Sequence, residues 1–230
     1  MTDITELCQR YADGERDFAE VNLTGVCLYR ANLKGINLQG ANLVGANLSG
    51  ADLTEANLSR ASLIGTNLSG SNLVNSNLQQ ADLIGANLGE AKLARANLTE
   101  VTLNGGNLSG ANLAQTNLTR AALKGVNFSG AVLNAILTEA DLKNANLSST
   151  SLVEANLSGA NLQGANLVGA NLSQANLSEA ILIEANLSGA SLVGANLQLA
   201  NLRGANVNQE TLQQTNLAGA TLPDGTVLEF

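Results

Sequence analysis

The sequence predicts an all-β fold, a chain wound as a parallel, four-sided β-helix with a short α-helix at its N-terminal end. Three observations carry that prediction. A five-residue unit, Ala-Asn-Leu-x-x, recurs with centres every five residues from Phe18 to Leu133 and again from Leu137 to Leu222. The centres number 42, and 39 are Leu; the exceptions are Phe18, Phe128 and Val207. Of the 23 glycines, 19 are the fifth residue of a unit, where a type II turn needs a positive φ. Finally, Gly25, Gly45, Gly65, Gly85, Gly105 and Gly125 are spaced by twenty, so four units close one coil. A period this long and this strict sets the architecture before any residue-level reading begins.

Residues 1–16 form the first element, a capping helix and turn. A helix over 2–12 is predicted: Thr2 or Asp3 can cap its start, and Ile4, Leu7, Cys8 and Tyr11 share one face. Gly14 stops it. An open solenoid end exposes apolar interior and unpaired edges, so Ile4, Leu7 and Tyr11 are expected to lid the first coil.

Residues 17–222 form the solenoid. Alternation along a strand puts Ala and Leu inside and the intervening Asn or Asp outside, with Asn side chains free to ladder along the exterior. About ten coils at ~4.8 Å give a rod on the order of 50 Å long. The glycine column predicts that one corner differs from the others, because the column Glu55, Asn75, Arg95 and Gln115 avoids Gly. Near 134–136 one residue is missing from the period, which must tighten a corner or bend the rod. Glu210 falls in a slot that should be small and inward; an unpaired buried carboxylate is too costly, so distortion or a bulge is expected there. Thr66, Ser71, Ser76, Thr116 and Thr150 occupy the same slot and should bond to the backbone. In 223–230, Pro223-Asp224-Gly225 turns the chain, and Val227, Leu228 and Phe230 are expected to close the last coil. A homodimer contact through this end is the alternative to a monomer.

Composition narrows the function. His is absent, which removes the commonest general base and metal ligand. No nucleophile–base pair, phosphate loop or metal spacing is found, and a Leu/Ala core leaves no room for a ligand pocket. Catalytic, cofactor and metal residues are therefore expected to be none. The net charge is -8, but residues 1–20 hold six acids against two bases, whereas 21–222 hold eleven acids against nine bases. So nearly neutral a body suits poorly the imitation of a duplex with a charge every ~1.7 Å. Cys8 and Cys27 are a possible disulfide pinning the helix, against two free thiols in a reducing compartment. Neither an apolar leader nor a membrane span is seen, so a cytoplasmic protein is expected. From 144 to 222 there are four acids and only Arg203, which points to a partner distinguishing the halves by charge through Glu154, Glu179 and Glu184.

The A(N/D)Lxx pattern, from Phe18 to Leu222, resembles the pentapeptide-repeat family. The flanks Tyr11-Ala12-Asp13-Gly14-Glu15-Arg16-Asp17-Phe18 and Leu222-Pro223-Asp224-Gly225-Thr226 are similar to the ends of its cyanobacterial members, a regulator of heterocyst differentiation among them. The resemblance implies a right-handed quadrilateral β-helix and a non-enzymatic rod that binds an unidentified protein partner through an outer face. The alternative is a DNA-mimicking inhibitor or protector of DNA gyrase. Nucleic acid and membrane are not expected partners.

Overall fold

A computed structural model describes residues 4–229. The proposed helix caps Thr2 and Asp3, and the proposed end cap Phe230, lie outside the described residues. The chain winds as a right-handed four-sided β-helix. Residues twenty apart pair in parallel, so four repeats make one coil, and the pairing on one face runs from Asp17 through Asn37, Asn57 and Asn77 up to Asn216. We number the faces 1 to 4 from the pairs starting at Asp17, Asn22, Cys27 and Asn32, and each corner after the face it follows.

One repeat explains why the unit is five residues long. The Ala41 amide donates to Leu38 O (3.0 Å) and closes the turn behind it; Asn42 donates back to Val21 O (2.9 Å). Leu43 and Gly45 donate forward to Ser62 O (2.7 Å) and Ile64 O (2.9 Å). The fourth amide, on Val44, is taken by the Asn42 Oδ1 (3.2 Å). All five amides are thus satisfied, as buried backbone demands. Asn and Asp side chains reach two residues ahead in this way better than Ser or Thr, which is why the second position favours them. Where Thr221 stands instead, the fourth residue is Pro223, which has no amide to satisfy. Inside, the Leu stack from Leu23 to Leu202 is buried throughout except for substituted centres, themselves buried at Phe128. Each buried Leu stabilises by about 1.5–3 kcal/mol before ordering costs.

The corners of the regular coils share one conformation, against the expectation of a distinct glycine corner. Glu55, Asn75, Arg95 and Gln115 have φ of 61, 59, 58 and 60°, beside 66° at Gly25 and 64° at Gly45. The left-handed residue is needed at every corner by the five-residue geometry. Glycine is therefore the least strained choice there, and it marks no special turn.

At the break, pairs shift from twenty apart to nineteen, as in Asn117 with Ile136 and Val132 with Ser151, and return to twenty at Ile136 with Asn156. The single residue Asn134 makes that corner, and its Nδ2 donates to Val153 O (2.7 Å). At the N-terminal end α1 spans Ile4–Ala12. Leu7 is fully buried, while Ile4 and Tyr11 pack half-buried against the core, and the Tyr11 hydroxyl donates to Lys34 O (2.8 Å). Arg10 ties α1 to the following turn through Glu15 and lies over the Phe18 ring.

Near the other end the solenoid is interrupted. Residues Gln209–Leu212 form a second helix, α2, capped by Asn208 accepting from the Glu210 amide. Glu210 is exposed on it, so distortion of the coil keeps the carboxylate in water. Leu212 alone of this turn keeps the inward place of a repeat centre. The tail then folds back: Leu228 N donates to Ala220 O (2.9 Å) and Thr221 pairs antiparallel with Val227. Of the expected caps, Leu228 is half-buried, but Val227 is 66% exposed. Alternation about that antiparallel pair turns Val227 outward.

Candidate interaction surface

Two opposite faces carry Asn ladders, on face 1 interrupted at Ile136. On face 1, Asn57, Asn77 and Asn97 each donate through Nδ2 to the Oδ1 one coil back (2.9, 3.4 and 3.2 Å). On face 3, Asn107, Asn127, Asn146 and Asn166 do the same (3.0–3.2 Å). These amides act as cap and rung together and leave little for a partner. Face 2 and face 4 are mixed: face 2 carries Ser62, Asp82, Thr102, Ala122, Asp141 and Ile181, and face 4 carries Asp52, Lys92, Val132 and Ser151.

The corners differ in the same sense. The fourth position along corner 3 is mostly Ser, and along corner 1 Ser, Thr or Gln. Corner 2 instead carries Val44, Ile64, Ile84, Lys124, Lys143, Ile183 and Arg203. Ile64 and Ile84 stack on successive coils, 38% and 42% exposed. Lys124 pairs with Asp141 on the adjoining face (3.1 Å). Its amide lacks the usual cap, because Ala122 stands at the second position, and donates instead to Asn104 Oδ1 (2.8 Å).

Corner 1 carries a charge ladder. Arg60 donates to Gln80 (3.2 Å), Gln80 to Glu100 (2.8 Å), and Arg120 to Glu139 (2.8 Å). That bond to Glu139 raises the Arg120 guanidinium further above its ordinary range, and Glu100 adds to it. Asp52 is held below the usual carboxylate range, first by the Thr54 hydroxyl, with the Thr54 amide and Lys34 helping. The acids of the second half do not form a face. Glu154, Glu179 and Glu184 stand on corners 4, 1 and 2, because the helix rotates the chain a quarter turn every five residues.

Cys8 and Cys27 are free and exposed, so no bridge pins α1; Leu7 takes the buried side of the helix and turns Cys8 outward. Among the described residues no three His, Cys, Asp or Glu side chains gather as metal ligands, and no helix is long and apolar enough to cross a membrane. Three polar grooves line the sides, each with a single charged side chain: Glu210, Glu90 and Arg60. The groove beside α2 was not foreseen from the sequence; its one signal was Glu210 in an inward slot.

Comparison with known proteins accords with this architecture. A family model described as pentapeptide repeats (8 copies) matches residues 31–70, 61–99, 96–134, 135–174 and 170–209. No curated protein matches the chain. Among solved structures, HetL from the cyanobacterium Nostoc, a pentapeptide repeat protein involved in heterocyst differentiation regulation, is 36% identical. That alignment covers 99% of this chain and 100% of HetL, with a TM-score of 0.46. Full-length QnrB1, a plasmid-mediated fluoroquinolone resistance protein, is 17% identical over 86% of this chain and 96% of its own, with a TM-score of 0.40. A pentapeptide repeat protein of the Arabidopsis thaliana thylakoid lumen is 29% identical over 46% of this chain and 68% of its own, at 0.33.

Proposed function

The chain belongs to the pentapeptide-repeat family, and from that premise we propose that it is a non-enzymatic, cytoplasmic regulatory rod that binds a protein partner along the edge of corner 2. The observation that carries this reading is the unequal sharing of side chains among corners. Faces 1 and 3 spend their amides on their own ladders, whereas corner 2 holds out Val44, Ile64 and Ile84 on consecutive coils with Lys124 and Lys143 beyond them. Stacked apolar side chains about 4.8 Å apart make a ridge that fits an apolar groove or an amphipathic helix on another protein. A solenoid's long side suits such contact.

The DNA-mimic reading has less support. The acids of the body are dispersed over several corners, and Glu139 and Asp141 are neutralised by Arg120 and Lys124. A duplex mimic needs one continuous negative stripe.

The test is capture from native lysate with the whole rod as bait, beside an Ile64→Ser, Ile84→Ser double variant. Both positions are surface exposed, so the fold should persist. A single saturable partner whose retention falls by about tenfold or more in the variant is the expected result. Equal retention by the variant would remove corner 2 from the reading, and an eluate without partner would remove the interaction rod itself.

A further inference from the structure

Where α2 lifts the chain off face 4, one repeat of the coil beneath it loses its neighbour. In regular coils the third and fifth amides donate forward, as Leu172 does to Ser191 O (2.8 Å) and Gly169 to Ser188 O (3.0 Å). One coil further on, those amides belong to Leu192 and Gly189, and among the described residues neither finds a backbone acceptor. The Ala190 carbonyl is left as well, because the amide of Thr211 that would reach it donates to Asn208 O (3.1 Å) inside α2. Gly189 N–H, Ala190 C=O and Leu192 N–H therefore make a donor–acceptor–donor row, the pattern of an unpaired strand edge.

That row lies in an open groove, with Gly189 exposed and Leu192 buried. It forms one wall of the groove, about 310 Å³ in volume, whose other wall is Asn208, Glu210, Thr211 and Gln214. Among the described residues Glu210 is the only charged side chain lining it, and the sequence from 144 to 222 adds three more acids against the lone Arg203. A groove with strand-like backbone groups on one side and a carboxylate on the other is complementary to a short extended segment bearing a cation.

We infer that this gap is a strand-addition site for an extended peptide segment of a partner protein, with its backbone paired to residues 189–192 and a Lys or Arg set against Glu210. The site lies on the fourth face, away from corner 2, so it stands or falls independently of the Ile64–Ile84 ridge.

The experiment follows amide exchange by NMR on the full chain, alone and with the probe peptide Ac-Thr-Val-Lys-Val-Thr-NH2 at low salt. In the free protein, Gly189 and Leu192 should exchange at least about a hundredfold faster than Gly169 and Leu172, as unpaired edges do. The lysine peptide should slow both, and Glu210→Gln should weaken its binding by about two- to fivefold. The Ile64→Ser, Ile84→Ser variant should bind it unchanged, which separates this site from the ridge. Three outcomes would overturn the inference: Gly189 and Leu192 already protected in the free chain, exchange unmoved by millimolar peptide, or a glutamine-for-lysine peptide binding equally well.

Discussion

The inward first position of the repeat shows how much a single hydroxyl matters in a core this narrow. Thr66, Thr116 and Thr150 each donate to a Leu or Phe carbonyl on the preceding coil (2.8–2.9 Å), and Ser76 to Leu73 O (2.7 Å). Among the described residues Ser71 has no partner for its buried Oγ. Removing an unsatisfied hydroxyl recovers its desolvation penalty, whereas removing a satisfied one forfeits a bond. Ser71→Ala should therefore raise stability by about 1 kcal/mol and Thr116→Val lower it by about the same, read as opposite shifts in the urea midpoint. Asp52 supplies a pH signature. Its folded pKa is depressed by Thr54 and Lys34, so its contribution is complete above the unfolded value near ~3.9 and disappears as pH falls through the lower folded value. The melting temperature of the native chain should drop below about pH 4 more steeply than that of Asp52→Asn; parallel curves would show that the Thr54 contact carries no stability. The inward and outward sides of each repeat were legible residue by residue. The carbonyls that the threonine hydroxyls reach were not, since they lie one coil away, some twenty positions off in sequence.

Among the elements, α1 and α2 illustrate two degrees of legibility. The apolar face of α1 spans a full helix period, so Leu7 could be placed inside from spacing alone, and it is fully buried. Leu7→Ala should cost about 2–5 kcal/mol and loosen chiefly the first coils, because a solenoid passes strain only to its neighbours. Hydrogen exchange would then rise over residues 23–45 and stay unchanged beyond about 100; uniform loosening would contradict this local coupling. Only four residues long, α2 has no periodicity to detect, and a helical turn there preserves the inward place of Leu212. The corners misled for a related reason. Glycine abundance follows the strain of a left-handed residue, and that strain is the same at every corner of the regular coils, so a column of glycines reports where substitution has not occurred and says nothing of a different turn.

For the whole molecule, the informative position is the missing residue at Asn134. Four pairs run nineteen apart before twenty resumes, so the loss is absorbed within one coil. Inserting Gly between Asn134 and Ala135 should restore the regular corner and leave stability within about 0.5 kcal/mol, the range of neutral surface changes. The same insertion between Gln115 and Thr116 should cost more, since it adds a sixth residue to a complete corner; equal urea midpoints for the two insertions would contradict that account. The period itself, and so the number of coils, was readable because every coil obeys the same local rule. The side chains that distinguish one edge from another were readable only once four-fold winding had sorted them into columns. The five-amide closure has a further consequence for how such a rod can change length. Removing or duplicating whole five-residue repeats leaves each remaining amide an equivalent partner, but only blocks of twenty, or multiples of twenty, also return every side chain to its own column. The separation between two points on one edge is thus quantised in steps of about 4.8 Å. A partner that grips the rod at two places is in effect reading a graduated scale, and only a shift by whole graduations would let it grip again.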